Sequence, residues 1–178
     1  MAITTLNNRA INRSDTASAD QLWTATSATA TDFQAAAAGG KVAQIVQATD
    51  KTARTTTSSS AVDVSTTLIA QITPAATSSK ILVTVQTVCE SPTYGWAAYL
   101  YKDVGGGGYA NVDGTERFLE VAGVAKQASG VIISYLDSPS TTSQVSYRPY
   151  FSITGGGTLT VGYGSDTIST IQAMEITA

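Results

Sequence analysis

Short apolar runs that alternate with polar residues, and that stop at Gly, Pro or Ser clusters, dominate the chain after residue 40. The clearest is KILVTVQTVCE (Lys80–Glu90), in which every second residue from Ile81 to Cys89 falls on one side of a strand. A period of two residues is the signature of a half-buried strand, and no run keeps the period of a long helix. The chain is therefore predicted to be an all-β protein.

Eight or nine strands follow from this pattern, and their spacing predicts an antiparallel, jelly-roll-like β-sandwich in residues 41–178. Besides Lys80–Glu90, we predict strands over Val42–Thr49, Ala61–Thr73, Trp96–Lys102, Glu116–Val121, Val131–Leu136, Gln144–Ile153, Thr158–Tyr163 and Thr167–Thr177. Pro149 predicts an edge or a bulge in its strand, since proline has no N–H for a ladder. The last strand is expected in the middle of a sheet or at a subunit contact.

Residues 1–40 differ from the rest because their apolar residues follow neither strand nor helix spacing. Thr-Ala alternation over Thr24–Thr31 favours extended backbone, and FQAAAA (Phe33–Ala38) favours one helical turn. Ordering such a segment costs about 1–2 kcal/mol per residue, which few large side chains of its own can offset. We therefore predict an extended attachment arm ordered by a partner; a loose arm on its own domain is the alternative. Its anchors are expected to be Leu6, Ile11, Leu22, Trp23 and Phe33.

The charge composition limits the partners that the chain can have. The net charge is −3, charged residues are 13% of the chain, and the Lys and Arg residues form no basic patch. We therefore expect no nucleic-acid partner, and an uncharged surface rich in Thr, Val and Ile favours assembly with other protein surfaces. No signal peptide and no membrane-spanning run is evident, and the single Cys89 is expected to be a buried free thiol.

The sequence gives no sign of catalysis or of a bound cofactor or metal. It has no histidine, which removes Ser-His and Cys-His nucleophiles and the usual zinc sites. Asp103, Asp113 and Glu116 lack the alternating spacing of a Ca²⁺ loop, so they are expected to be solvated loop charges. Gly105–Gly108 lacks the Lys-Ser/Thr of a phosphate-binding loop and is expected to be a hairpin tip.

Several aromatic residues lie close together in sequence, namely Tyr94, Trp96, Tyr99, Tyr101 and Tyr109. Aromatic rings at the end of a β-sandwich can stack on a sugar, or they can fill the core and subunit contacts. Packing is the favoured interpretation, and sugar stacking is the alternative. If a glycan binds, the loop residues expected to face it are Tyr94, Trp96 and Tyr109.

Two stretches resemble bacteriophage virion proteins: INRSDTASADQLWTATSATATDFQ, and the segment that runs from GKVAQIV through ITPAATSSKILVTVQ to STIQAMEI. The second is similar to the small jelly-roll domains of phage fibres and capsid-decorating proteins. The resemblance implies a homotrimer located in the virion and assembled in the host cytoplasm. It implies no catalytic or ligand-binding residue.

Two functions fit this resemblance, the first of them favoured, and a third lies outside it. In the first, trimers sit on the capsid and their arms clamp neighbouring major capsid subunits or another virion protein, as in a cement or decoration protein. In the second, the chain is a tail, collar or head fibre whose aromatic loops recognise a host surface glycan. The third is a carbohydrate-active enzyme or lectin. The absence of histidine and of paired acidic residues argues against catalysis.

Overall fold

The computed structural model describes residues 21–25, 31–35, 40–92, 95–112, 119–121 and 127–177. The chain divides into two compact units, Met1–Gly39 and Gly40–Ala178. Every regular element among the described residues is a β-strand, and neighbouring strands pair antiparallel, which confirms the predicted fold class. That described part holds no helix long and apolar enough to cross a membrane.

The first unit contains an antiparallel hairpin of β1 (Gln21–Ala25) and β2 (Thr31–Ala35). Extended backbone was expected here from the Thr-Ala alternation, but pairing of the segment with itself was not. The helical turn predicted over Phe33–Ala38 is wrong for residues 33–35, which lie in β2, and residues 36–38 lie outside the described part. Thr and Phe favour strands, and the ladder to β1 satisfies their backbone groups without a helix.

The second unit contains twelve further strands among its described residues. They are β3 (Lys41–Asp50), β4 (Arg54–Thr56), β5 (Val62–Asp63), β6 (Ala70–Ile72), β7 (Lys80–Ser91), β8 (Trp96–Val104), β9 (Ala110–Asn111), β10 (Leu119–Val121), β11 (Gln127–Asp137), β12 (Val145–Ile153), β13 (Leu159–Val161) and β14 (Ser169–Thr177). They form two six-stranded sheets.

The first of these sheets, called here the large-strand sheet, is built around β7. Strand β11 pairs with one edge of β7 along its length, while β14 and then β13 pair with the other edge. Strand β3 lies beyond β14, and β4 lies beyond β13. The C-terminal strand β14 is therefore between β3 and β7, as predicted for a strand in the middle of a sheet.

The second sheet, called here the tyrosine sheet, is built around β12. Strand β8 lies on one side of β12, and the short strands β6 and β5 share the other side. Pro149 is not on an edge strand, and its pairing with β8 continues in register opposite Leu100, so the predicted edge or bulge is wrong. Proline fits because β6 pairs with Val145–Tyr147 and β5 with Tyr150–Phe151, which leaves Pro149 in the gap between them.

The core lies between the two sheets and uses every second residue of their longer strands. Its largest fully buried side chains include Trp96, Tyr147 and Phe151 from the tyrosine sheet. Opposite them lie the inward residues of β7, from Ile81 to Cys89, which the alternation had placed on one side. Cys89 is a buried free thiol, as predicted, and burial raises its pKa.

The segment Ala61–Thr73, predicted as a single strand, is two strands with a turn between them. Ser65 causes the break. Its Oγ accepts a hydrogen bond from the Leu68 N–H at 3.1 Å and donates one to Asp50 Oδ2 at 2.6 Å. The segment between the predicted strands Val42–Thr49 and Ala61–Thr73, where no strand is predicted, contains the short strand β4, paired with β13.

Gly105–Gly108 forms the tip of the β8–β9 hairpin, as predicted, with Tyr101 opposite Asn111 in the register. Gly105, Gly106 and Gly108 have positive φ angles of 64°, 83° and 103°, which other residues rarely adopt. Asp103 accepts a hydrogen bond from the Gly108 N–H at 3.0 Å, so its carboxylate closes the loop instead of standing free in solvent.

Candidate functional site

The outer face of the large-strand sheet carries side chains in rows that cross β11, β7, β14 and β3. The registers of these strands place residues from four strands directly beside one another. One such row is apolar along its whole length and consists of Leu136, Leu82, Met174 and Ile45. A row of this kind is unusual on a sheet face that meets water, where polar residues normally alternate with the core positions.

The apolar row is exposed at both ends and is extended by a second apolar pair. Leu136 is 47% exposed and Ile45 is 51% exposed. Val42, which is 54% exposed, lies opposite Ile176 in the next row. Contiguous apolar surface of this kind, bordered by polar residues, marks an interaction site in soluble proteins.

The neighbouring rows carry no charge and are polar except for Ile132. The first consists of Ser134, Thr84, Gln172 and Gln47, and the second of Ile132, Gln86, Thr170 and Thr49. Five of these residues line a shallow depression of ≈ 230 Å³: Gln47, Thr84, Gln86, Thr170 and Gln172. Hydroxyls and amides can both donate and accept, so a partner can satisfy them without any ion pair.

These three rows and the Val42–Ile176 pair form what we call the uncharged face. Lys80, opposite Ile176, is the charged residue at its end. Charged residues are depleted from the centre of protein–protein interfaces, where desolvation of an unpaired charge is costly. The uncharged face therefore has the composition of a protein contact surface.

Two buried acids of the second unit, Asp50 and Glu175, are held by hydrogen bonds. Asp50 accepts hydrogen bonds from Ser65 Oγ and from the Thr52 N–H at 2.6 and 2.8 Å. Glu175 is fully buried and accepts bonds from Gln44 Nε2 at 2.6 Å and from the Ala75 N–H at 2.7 Å. The described residues contain no group of three or more His, Cys, Asp or Glu side chains that could hold a metal ion.

Three of the five predicted arm anchors lie in the N-terminal hairpin. Trp23 on β1 is directly opposite Phe33 on β2, and Leu22 is opposite Gln34. The register thus brings two anchors that are ten residues apart in the chain to one position of the ladder. Leu6 and Ile11 lie outside the described residues. The role of all five in partner binding stays a prediction.

The three residues predicted to face a glycan lie in different surroundings. Trp96 is 1% exposed and belongs to the core, so it cannot face a ligand, and that prediction is wrong. Its alternation with Ala98 and Leu100, which also point inward, was the available signal. Tyr94 lies outside the described residues. Tyr109 is partly exposed and lies beside Tyr150, with ring centroids 6.1 Å apart.

Sequence reasoning missed the residues that surround Tyr109. Tyr150 and Arg148 come from β12, and Asp63 comes from β5, so their approach depends on the pairing of distant strands. The alternation of Tyr99 with Tyr101, and of Arg148 with Tyr150, does place each pair on one side of its strand. No local sequence pattern shows that β8 and β12 are neighbours in the sheet.

No protein-family model matches the chain, and no curated protein matches it. Among solved structures, a chain from infectious bursal disease virus, Gx strain, has 14% sequence identity and a TM-score of 0.41, with 85% of this chain and 41% of that chain covered. The Eiger TNF from S. frugiperda has 10% identity and a TM-score of 0.42, covering 75% of this chain and 93% of that chain.

A chain from the infectious bursal disease virus VP2 subviral particle has 10% identity and a TM-score of 0.38, with 86% of this chain covered. This chain spans 45% of the length of that VP2 chain and 41% of the Gx-strain chain. Likenesses at this level carry no argument about function, and the fold described above rests on the strand pairing of the chain itself.

Proposed function

We propose that this chain is a non-enzymatic structural protein of a bacteriophage particle, and most specifically a capsid cement or decoration protein. In this function residues 41–178 are the body of a homotrimer, and residues 1–40 are the arm that clamps neighbouring major capsid subunits. The uncharged face carries the proposal, because a surface with exposed Ile45 and Leu136 and with uncharged rows beside them calls for a protein partner.

The size of the uncharged face supports assembly with other subunits. Four strands at a spacing of about 4.8 Å, and four rows at about 6.8 Å, give a flat area of about 500 Å². A stable interface buries about 800 Å² on each partner, so this face supplies a large part of one. In a closed ring the contacts are heterologous, so this face meets a different surface patch of the neighbouring subunit.

The N-terminal segment supports attachment rather than a second enzyme-like domain. Its described part is a two-stranded hairpin, an element that is marginally stable on its own in water. The register places Trp23 directly opposite Phe33, and these two residues are the anchors assigned to the partner in this proposal. Large aromatic residues of this kind are typical of the few positions that carry most of an interface's binding energy.

Deletion of residues 1–38 tests this function directly. We expect the truncated chain to remain folded and to keep its oligomeric state in light scattering, but to stop binding purified capsids that lack the protein. The full-length chain is the control, and it should rebind these capsids until their sites are saturated. Retained capsid binding by the truncated chain would overturn the clamp.

A tail, collar or head fibre that recognises a host surface glycan is the second candidate function. The partly exposed tyrosines of the tyrosine sheet favour it, since rings on an outer sheet face can contact a sugar. The copy number of the chain in purified particles separates the two functions. Hundreds of copies support a decoration protein, whereas a few tens support a fibre.

A further inference from the structure

The outer face of the tyrosine sheet holds a cluster of aromatic and charged side chains at its centre. Tyr150 on β12 is directly opposite Tyr99 on β8 and Asp63 on β5. One row further along, Arg148 on β12 is opposite Tyr101 on β8. Two adjacent rows of the sheet therefore bring these side chains together.

The aromatic rings of the cluster hold one another in place. The Tyr101 and Tyr150 rings are stacked, with centroids 4.0 Å apart and an interplanar angle of 14°. Tyr99 meets the Tyr101 ring edge-on at 6.5 Å, and its hydroxyl lies 3.2 Å from Ser152 Oγ. Rings fixed in this way lose little conformational entropy when a ligand binds.

Arg148 and Asp63 place a fixed pair of opposite charges beside the rings. The Arg148 guanidinium lies 4.7 Å from the centroid of the Tyr109 ring and forms an ion pair with Asp63 through Nη1 and Oδ2. The Arg148 side chain is 15% exposed and that of Asp63 is 39% exposed, so the carboxylate is the accessible partner. Because the two charges cancel, the cluster has little net charge to attract an ion.

Burial, and then the nearby Asp63 carboxylate, raise the pKa of Tyr150. Its phenol group is therefore protonated at neutral pH and can donate a hydrogen bond. Beside it, the Asp63 carboxylate is a pure acceptor, so donor and acceptor lie next to each other at the edge of a ring.

This combination fits a neutral saccharide better than other ligand classes. A sugar presents one face of C–H groups that can lie on an aromatic ring, and its hydroxyls both donate and accept. Because the charges of Arg148 and Asp63 cancel, neither an anionic nor a cationic ligand gains a net attraction, and Asp103 on the same face of β8 repels an anion.

A protein partner is less well matched to this cluster. Aromatic and arginine anchors of protein interfaces are normally surrounded by contacts that exclude water. The neighbours here are polar: Ser146, which accepts a bond from Gln71 Nε2 at 3.2 Å, together with Ser152 and Asn111. The uncharged face, in contrast, carries the exposed apolar row.

We propose that the cluster of Tyr101, Tyr109, Tyr150, Arg148 and Asp63 is a binding site for a neutral oligosaccharide. The rings provide the surface on which a sugar ring stacks, and Asp63 and the tyrosine hydroxyls bind its hydroxyl groups. This site is independent of the capsid clamp, because its residues lie in the second unit and outside the uncharged face.

Saturation-transfer NMR and isothermal titration with the full-length chain test the site. The probes are maltotriose, lactose, mannobiose and chitobiose, with sialyllactose as the anionic comparator. At least one neutral probe should bind with a millimolar Kd, and Tyr150→Ala should weaken it about tenfold through the loss of ring contact. Tyr109→Ala should weaken binding of the same probe. Because Tyr109 lies in the loop before β9, this substitution is less able to disturb folding.

Tyr163→Ala is the matched control, because Tyr163 is 39% exposed and is not part of the cluster. It should leave sugar binding unchanged, and all three variants are compared at equal folded fraction by thermal unfolding. The proposal is overturned if none of the neutral probes binds, if only sialyllactose binds, or if Tyr163→Ala weakens binding as much as Tyr150→Ala. Loss of capsid or other protein binding in Tyr150→Ala, with no sugar bound by the parent chain, would likewise overturn it and assign the cluster to a protein partner.

Discussion

Lys102 and Asp137 connect the two sheets of the sandwich through a bidentate ion pair. The Lys102 Nζ atom of β8 lies 2.8 and 2.9 Å from the two carboxylate oxygens of Asp137 at the end of β11. Tyr147 of β12 donates a hydrogen bond of 2.7 Å to the same carboxylate. Asp137 is 4% exposed. The Lys102 ammonium and the Tyr147 hydroxyl both rely on its carboxylate as their hydrogen-bond acceptor.

Asp137→Ala should therefore lower the free energy of unfolding by about 3–5 kcal/mol, because it leaves the Lys102 ammonium and the Tyr147 hydroxyl without a partner. Urea unfolding followed by tryptophan fluorescence measures this change. Asp166→Ala is the matched control, since Asp166 is exposed in a loop, and it should change the free energy by less than about 0.5 kcal/mol. Equal effects of the two substitutions would mean that the ion pair contributes nothing specific to stability.

A charge placed in the apolar row should block assembly without unfolding the subunit. Ile45 and Leu136 are exposed at the two ends of this row, so Ile45→Lys together with Leu136→Lys costs the free subunit little. In a contact between subunits the same lysines would be buried without partners, and the complex should dissociate to monomers. Sedimentation velocity measures the change in oligomeric state.

Ile168→Lys is the control for this experiment, because Ile168 is 49% exposed but lies outside the rows of the uncharged face. It should leave the oligomeric state unchanged. An oligomer that persists with both lysines in the row would show that subunits do not meet through the uncharged face.

The pattern of alternation was enough to identify the long strands and their buried sides. From Ile81 to Cys89 every inward position of β7 follows from the sequence, because water and core impose opposite preferences on adjacent residues. The same rule, applied to Trp96, Ala98 and Leu100, would have placed Trp96 in the core. The error came from grouping aromatic residues by their closeness in sequence.

Short strands and cross-strand clusters could not be predicted in this way. Strands β4 and β5 contain three and two residues, which is too few to show a period, and each forms by pairing with a strand distant in sequence, β4 with β13 and β5 with β12. The contact of Arg148 with Asp63 joins residues 85 positions apart, and only the register of β12 with β5 brings them together. The apolar row likewise depends on three separate registers at once.

Acid should destabilise the fold through Asp50 and Glu175. Burial by itself raises the pKa of each carboxyl group, but the hydrogen bonds that each accepts outweigh burial and lower the pKa below its usual value. A carboxyl group whose pKa is lowered by folding stabilises the protein above its unfolded pKa, and that stability is lost as the pH falls through the folded value. We expect the free energy of unfolding to decrease as the pH falls below about 4.

Glu175→Gln checks this pH dependence. It should reduce the free energy of unfolding at neutral pH and flatten its decrease in acid, since one of the two titrating groups is gone. Urea titrations at a series of pH values measure both effects. Asp166→Asn, at an exposed position, should leave the curve unchanged. A Glu175→Gln curve that runs parallel to that of the parent chain would show that Glu175 does not contribute to the acid sensitivity.

Two glycines offer a final comparison, because only one of them has a conformation that requires glycine. Gly162 has a φ of +74°, and a Cβ added there would lie 3.3 Å from Ser169 Oγ and 3.4 Å from the Thr52 carbonyl oxygen. Gly130 lies in β11, and nothing is within 4 Å of the Cβ that alanine would add.

Gly162→Ala should lower the free energy of unfolding by more than about 1 kcal/mol, since alanine is strained at positive φ and its methyl group would lie tightly against Ser169 Oγ. Gly130→Ala should be neutral or stabilising by up to about 1 kcal/mol, because alanine restricts the unfolded chain without strain in the strand. Chemical unfolding of the two variants under identical conditions measures the difference. A Gly130→Ala variant less stable than Gly162→Ala would contradict both the positive φ at Gly162 and the open space beside Gly130.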